Sequence, residues 1–187
     1  MWIVAGPNGA GKSTFLENLG AVFSEIVRPD EFALRLAPDA PESAALSAGK
    51  LAVNRMRELI ALHKSFAVET TLSGRLHQRL TREAKSTGWQ VRLVYIGLAN
   101  AQLAIRRVAQ RHLAGGHDVP TVDIVRRYNR GLDNLPRWLR IADSITILDN
   151  SSSTTKMKRV LAIEKRRVVY RSRRFPDWIP EALLLFR

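Results

Sequence analysis

The chain has 187 residues, 45% of them hydrophobic and none of them cysteine, and carries a formal net charge of +13. That length suits one domain, residues 1–187, with a real core, and the missing cysteine excludes disulfides and thiolate metal sites. No apolar run approaches the about 18 residues of a membrane span, and the opening Met-Trp-Ile-Val lacks the basic segment of a secretory leader, so a cytoplasmic protein with no membrane partner is expected.

The charge is uneven. Residues 1–74 hold 7 Lys/Arg against 8 Asp/Glu, residues 75–140 hold 13 against 4, and residues 156–187 hold 10 against 3. Such fields attract phosphate-bearing ligands, nucleic acid or an acidic protein.

In chain order, Trp2-Ile3-Val4-Ala5 reads as a short apolar strand. The stretch Gly6-Pro7-Asn8-Gly9-Ala10-Gly11-Lys12-Ser13-Thr14 follows it and opens a helix from Lys12 to about Gly20. The spacing G-x-x-x-x-G-K-S is that of a phosphate-binding loop. Its glycines admit backbone conformations that a Cβ would forbid, so successive N–H groups can turn inward as an anion nest. Lys12 supplies a point charge for β- and γ-phosphates, and the Ser13 hydroxyl suits a Mg²⁺ ligand. Gly6, Asn8, Gly9, Ala10, Gly11, Lys12, Ser13 and Thr14 are therefore the expected ATP-binding residues.

A second strand near Ser24–Val27 leads to Arg28-Pro29-Asp30-Glu31. Pro29 keeps its predecessor extended, which places Asp30 just past a strand end, where open α/β sheets bind ligands. Asp30 is either a general base or substrate anchor, or the N-cap of a helix over Glu31–Leu36. Residues 43–63 form the longest helical pattern, with His63 at its end. Phe66-Ala67-Val68 is a third strand, tipped by Glu69-Thr70-Thr71. Leu76–Ser86 is an amphipathic helix, and Val91–Ile96 is a continuous apolar strand of the kind found at a sheet centre.

Asn100 caps a helix running to Ala114. After the turn Gly115-Gly116-His117-Asp118-Val119-Pro120, a second helix begins at Thr121. Arg107 and Arg111 share a face of the first; Arg126, Arg127 and Arg130 lie on the second. A helical pair with arginines on both arms, about residues 100–138, reads as a lid that closes over phosphates, with Tyr128, Leu132, Leu135 and Trp138 as core contacts. Ser144–Leu148 is a fifth strand. The remainder, about residues 152–187, reads as an extension: two short strands, Arg159–Ile163 and Val168–Tyr170, and a packing helix over Asp177–Phe186. Alternating strands and helices define an α/β fold with a largely parallel sheet. Transporter-type ATPases share GPNGAGKST, but their second signature is absent: Leu72-Ser73-Gly74 continues as Arg75-Leu76, and no strand ends in Asp-Glu.

Four segments together resemble the zeta-toxin family, in its short bacterial form: GPNGAGKST (6–14), RPDEFA (28–33), FAVETTLSG (66–74) and RVAQRHLAGGHDVP (107–120). IVRRYNRGLDNLP (124–136) and SITILDNS (144–151) fit as well. The resemblance implies a P-loop kinase fold: a central, mostly parallel five-stranded sheet flanked by helices, with a helical lid and a short C-terminal strand pair. It implies transfer of the ATP γ-phosphoryl, with Mg²⁺, to a hydroxyl of UDP-N-acetylglucosamine or a similar nucleotide-sugar, and a toxin held by a small antitoxin, here an acidic one. By the same resemblance Asp30 is the base, with Lys12 and Arg111 catalytic beside it. Ser13 is the metal ligand, Glu69 and Thr71 line the substrate pocket, and Arg111, His117 and Arg127 are lid cations. Arg28 stands where the family often has Asn, Ser73 where larger members can have a basic residue, and His117 where others can have Arg, which alters how an anionic substrate would be gripped. The basic surface supports a second reading, a nucleic-acid-directed P-loop kinase or RNA-binding ATPase, although aromatics are only 7% of the chain.

Overall fold

A computed structural model describes residues 1–19, 22–116 and 118–186. Seven strands form one sheet: β1 (Trp2–Ala5), β2 (Glu25–Val27), β3 (Phe66–Thr70), β4 (Arg92–Gly97), β5 (Ser144–Asp149), β6 (Lys158–Glu164) and β7 (Arg167–Arg171). The order is β2-β3-β1-β4-β5-β6-β7. The first five are parallel, while β6 and β7 add antiparallel. The expected five-stranded sheet is thus corrected to a mixed sheet of seven. The C-terminal pair does not stand apart, because the edge of β5 offers unpaired backbone groups that β6 satisfies.

Helices α1 (Lys12–Leu19), α2 (Pro29–Leu36), α3 (Ala45–Ala61), α4 (Leu76–Ser86), α5 (Ala101–Leu113), α6 (Thr121–Asn134) and α7 (Glu181–Leu184) accompany the sheet. The strand period of two sorts side chains to its two faces. Ile3, Val68, Tyr95 and Ile147 share one cluster with Met56 and Leu59 of α3, Leu80 of α4, Trp138 and Leu183. Val4, Ala67, Val94 and Ile96 share the other with Leu16 of α1, Val108 of α5, and Ile124 and Tyr128 of α6. β4 is buried on both faces, as its unbroken apolar run requires. Among the described residues no helix is long and apolar enough to cross a membrane.

Several boundaries move. The pattern over 43–63 resolves into a 3₁₀ turn, Pro41–Ala44, then α3, which ends at Ala61; His63 follows with φ 51° and its ring stacks on Trp89. Asp30 is the second residue of α2 rather than its N-cap. Arg28 holds the cap position without a side-chain cap bond, and Pro29 at the first turn supplies the preset φ that starts the helix. Asn100 does cap α5, accepting from the Leu103 N–H at 2.9 Å. The tail over 177–186 is helical only at Glu181–Leu184, because it is held by side chains: Trp178, Ile179 and Leu183 are buried.

Trp178 packs against Gly97, where an added Cβ would fall 2.1 Å from the indole. Its Nε1 donates to Asp149 Oδ1 at 2.9 Å, tying the tail to the tip of β5. Gly97→Ala is expected to destabilise the fold by about 1–3 kcal/mol through overpacking, read as a lower urea midpoint with unchanged denaturant slope.

Candidate functional site

Parallel register brings Ala5 level with Thr70 on β3 and Tyr95 on β4, so the loop after β1 leaves the carboxyl edge between two neighbours, the position where such sheets hold ligands. The loop has the backbone its sequence requires. Gly6, Gly9 and Gly11 take φ of 146°, 73° and 87°. A Cβ at Gly6 would sit 2.1 Å from the Ile96 carbonyl oxygen, and one at Gly9 would sit 2.9 Å from Cβ of Arg107. Ala10 is buried and Asn8 is 8% exposed, with Oδ1 enclosed and without a hydrogen-bond partner. Ser13 and Thr14 stand exposed in the first turn of α1.

Lys12 is 7% exposed. Its Nζ donates to the Pro7 carbonyl at 3.0 Å and lies 3.7 Å from Glu69 Oε1. Burial pulls the ammonium below its ordinary range. Glu69 and then Asp30 raise it, and Arg111 lowers it further. Residues from β3, α2 and α5 therefore all act electrostatically on one buried amine. Glu69 collects the rest of the cluster: its Oε2 accepts from Ser13 Oγ at 3.0 Å and lies 3.7 Å from Arg28 Nε, and Arg28 also reaches Glu31 at 2.8 Å.

Arg111 sits on the last turn of α5, where its carbonyl accepts from Gly116 N–H at 2.9 Å. Arg127 lies 3.7 Å from Asp123 on its own helix. His117 lies outside the described residues.

The loop after β3 is fixed from both sides. Thr71 Oγ1 and Ser73 Oγ are 3.0 Å apart. Leu72, fully buried, has φ 61°. Its N–H donates to Thr70 Oγ1 at 3.1 Å, and its carbonyl accepts from Asn134 Nδ2 of α6 at 2.9 Å. Gly131 of α6 passes so close that a Cβ would lie 2.7 Å from the Thr71 oxygen. His77 Nδ1 is 3.4 Å from Thr70 Oγ1, and its Nε2 is enclosed without a partner.

Three residues reach the site in ways that the sequence reading assigned to none of them. Arg107 reaches the Gly9 and Ser152 carbonyls at 3.5 and 3.4 Å. Asn150 donates to the Ala10 carbonyl at 3.0 Å. Arg28, read as the start of the RPDEFA segment and as a departure from a family asparagine, lies 3.7 Å from Glu69. The one available signal was shared-face spacing, which set Arg107 one turn before Arg111. Between α5 and residues 151–153 lies a cavity of about 420 Å³, lined by Asn100, Leu103, Arg107, Gln110, Ser151 and Ser153 among others.

Strand order, glycine cradle and buried lysine define a P-loop ATP-binding domain. The chain belongs to the AAA domain family, whose model matches residues 1–131. An uncharacterized protein of Haemophilus influenzae is 31% identical over 123 residues, spanning 66% of this chain and 88% of that protein. Two solved structures share the fold. The PezAT chromosomal toxin–antitoxin system of Streptococcus pneumoniae matches with a TM-score of 0.64 at 20% identity, covering 80% of this chain and 66% of that one. The AvrRxo1-ORF1:-ORF2 structure with ATP matches with a TM-score of 0.65 at 17% identity, covering 89% and 59%. The chain therefore spans only 59% to 66% of the length of these solved chains, and at such identities the likeness is one of fold.

Burial drops the His77 pKa from 6.5 to about 4, so the fold holds the ring neutral. As pH falls through 6.5 the unfolded chain takes up the proton first, and stability drains away progressively down to about pH 4. His77→Gln is expected to flatten the fall of urea midpoint between pH 6.5 and 4 relative to the parent protein; parallel curves would show that the ring titrates freely.

Proposed function

We propose that this chain is an ATP-dependent small-molecule kinase of the zeta-toxin type, transferring the γ-phosphoryl of ATP to a hydroxyl of a nucleotide-sugar such as UDP-N-acetylglucosamine. The observation that carries the reading is the phosphate loop itself: Gly6, Gly9 and Gly11 take positive φ around a buried Lys12, whose Nζ donates to the Pro7 carbonyl and lies 3.7 Å from Glu69 at the tip of β3, with Asp30 of α2 and Arg111 of α5 contributing to the field at that amine. Phosphoryl transfer requires placement and charge neutralisation around in-line oxygens, and these groups supply both.

In this reading the loop amides and Lys12 hold the phosphates. Ser13 Oγ and Glu69 Oε2, 3.0 Å apart, are two oxygens that suit Mg²⁺. Among the described residues no group of three or more acidic or imidazole side chains could cage a metal, which fits an ion held by one or two protein oxygens and the nucleotide's own phosphates. Bound there, the ion neutralises phosphate charge. Asp30 takes the proton of the acceptor hydroxyl as its oxygen bonds to the γ-phosphorus, the bond to the β–γ bridging oxygen breaks, and ADP leaves. Arg111 offsets the charge on the migrating group, while Arg127 and His117 complete the lid. Thr71 and Glu69 face the acceptor, and Arg107 with the adjoining cavity receives the nucleobase. The shared fold with the PezAT toxin–antitoxin system supports a protein partner that restrains the enzyme.

Protein incubated with ATP, Mg²⁺ and a panel of UDP-sugars should yield a phosphorylated sugar by mass spectrometry. Asp30→Asn should keep its affinity for ATP and lose about 10²–10⁴ in rate; undiminished turnover would remove Asp30 from the chemistry. Arg111→Ala should cost about 10³ in rate, and Lys12→Ala should lose nucleotide binding in an equilibrium titration.

A further inference from the structure

We propose that the outer edge of β7 docks an acidic, extended polypeptide segment by strand addition. The inference is independent of the phosphoryl-transfer reading and concerns the opposite end of the sheet from β2. β7 pairs with β6 alone, so its other row of N–H and C=O groups has no strand partner among the described residues. Arg167 and Tyr170 are exposed, and Val169 is 56% exposed. The C-terminal tail is hydrogen-bonded to the strand's last residue, where the Arg171 guanidinium donates to the Leu184 and Phe186 carbonyls, and Val168 packs on the core cluster that holds the tail.

An open edge is a template for a further strand, and charge decides which. The β6–β7 hairpin carries Lys158, Arg159, Lys165, Arg166, Arg167 and Arg171 against the single acid Glu164. A second copy of this chain would bring like charge against like charge. An acidic segment would gain main-chain hydrogen bonds and charge complementarity together.

The turn of this hairpin maintains the charge at a conformational cost. Lys165 and Arg166 adopt φ of 47° and 64°, the left-handed pair of a two-residue hairpin turn, where Asn-Gly is the easiest sequence. Each such non-glycine residue costs about 1 kcal/mol or more. The edge thus carries three consecutive cations, Lys165 to Arg167, where an Asn-Gly turn would leave Arg167 alone.

The aromatic geometry favours polypeptide over nucleic acid. Single-strand binders present aromatic faces for bases to stack on. The one aromatic on this strand, Tyr170, already has the Arg159 guanidinium over its ring, 4.2 Å from the centroid.

The test uses the full chain and a fluorescein-labelled peptide of alternating Glu and Val. Saturable binding is expected, with slowed hydrogen exchange at β7 amides. The same peptide with N-methylated alternate residues, which cannot pair as a strand, should bind about tenfold more weakly. Lys165→Asn combined with Arg166→Gly should melt at a higher temperature and bind the peptide about tenfold more weakly, a pairing that misfolding cannot produce. Unchanged exchange at β7, equal binding of the N-methylated peptide, or tighter binding of an oligothymidylate would overturn the proposal, the last in favour of a nucleic-acid surface. Loss of ATP binding in Lys12→Ala should leave peptide binding intact, so the two readings fail separately.

Discussion

A buried ammonium needs partners, and Lys12 has been given a carboxylate, a carbonyl and a second cation to balance against. An amine taken out of water is costly unless paired, and Glu69 at the tip of β3 is the pairing that tolerates the burial. The same carboxylate engages Ser13 and stands near Arg28. One acidic side chain thus ties together the phosphate loop, the neighbouring strand and the start of α2. In the proposed reading, entering phosphates would take over from Glu69 as the anionic partner of an amine already out of water, which is how a preorganised site avoids reorganisation cost.

The sheet order is what makes that pairing available. With β1 between β3 and β4 in parallel register, the loop necessarily emerges beside the tip of β3. The arms α5 and α6 are not a loose flap on this frame. Ala104, Val108, Ile124 and Tyr128 are core residues, and the Tyr128 hydroxyl donates to the Leu98 carbonyl at 2.9 Å. The far end of α5, where Arg111 lies, is exposed over residues 109–113.

Much of this was legible in the sequence because local physics sufficed. The glycine spacing fixed the cradle, Asn100 announced a helix start, and the apolar run of β4 announced a doubly covered strand. What stayed hidden depended on partners distant in sequence. Nothing local tells that Asp30 follows a Pro-initiated helix turn rather than capping it, since both positions favour an acid. The tail over 177–186 has helical composition, yet Trp178 anchors it by packing on Gly97, which no periodicity encodes. The pairing of β6 with β5 was invisible for the same reason, as edge complementarity is a property of the assembled sheet. Arg127, expected as a lid cation by resemblance, lies 3.7 Å from Asp123 four residues earlier on its own helix, a pairing that its family position does not announce.

Gly131 lies against the carbonyl of Thr71 and Asn134 grips that of Leu72. These contacts bolt α6 to the β3–α4 connection at two successive peptide units. A sliding or rolling of that helix is therefore transmitted as displacement of the hydroxyl pair Thr71 and Ser73. In the proposed reading, the hydroxyls that would meet an acceptor alcohol are positioned by α6, a helix held in the core by Ile124 and Tyr128.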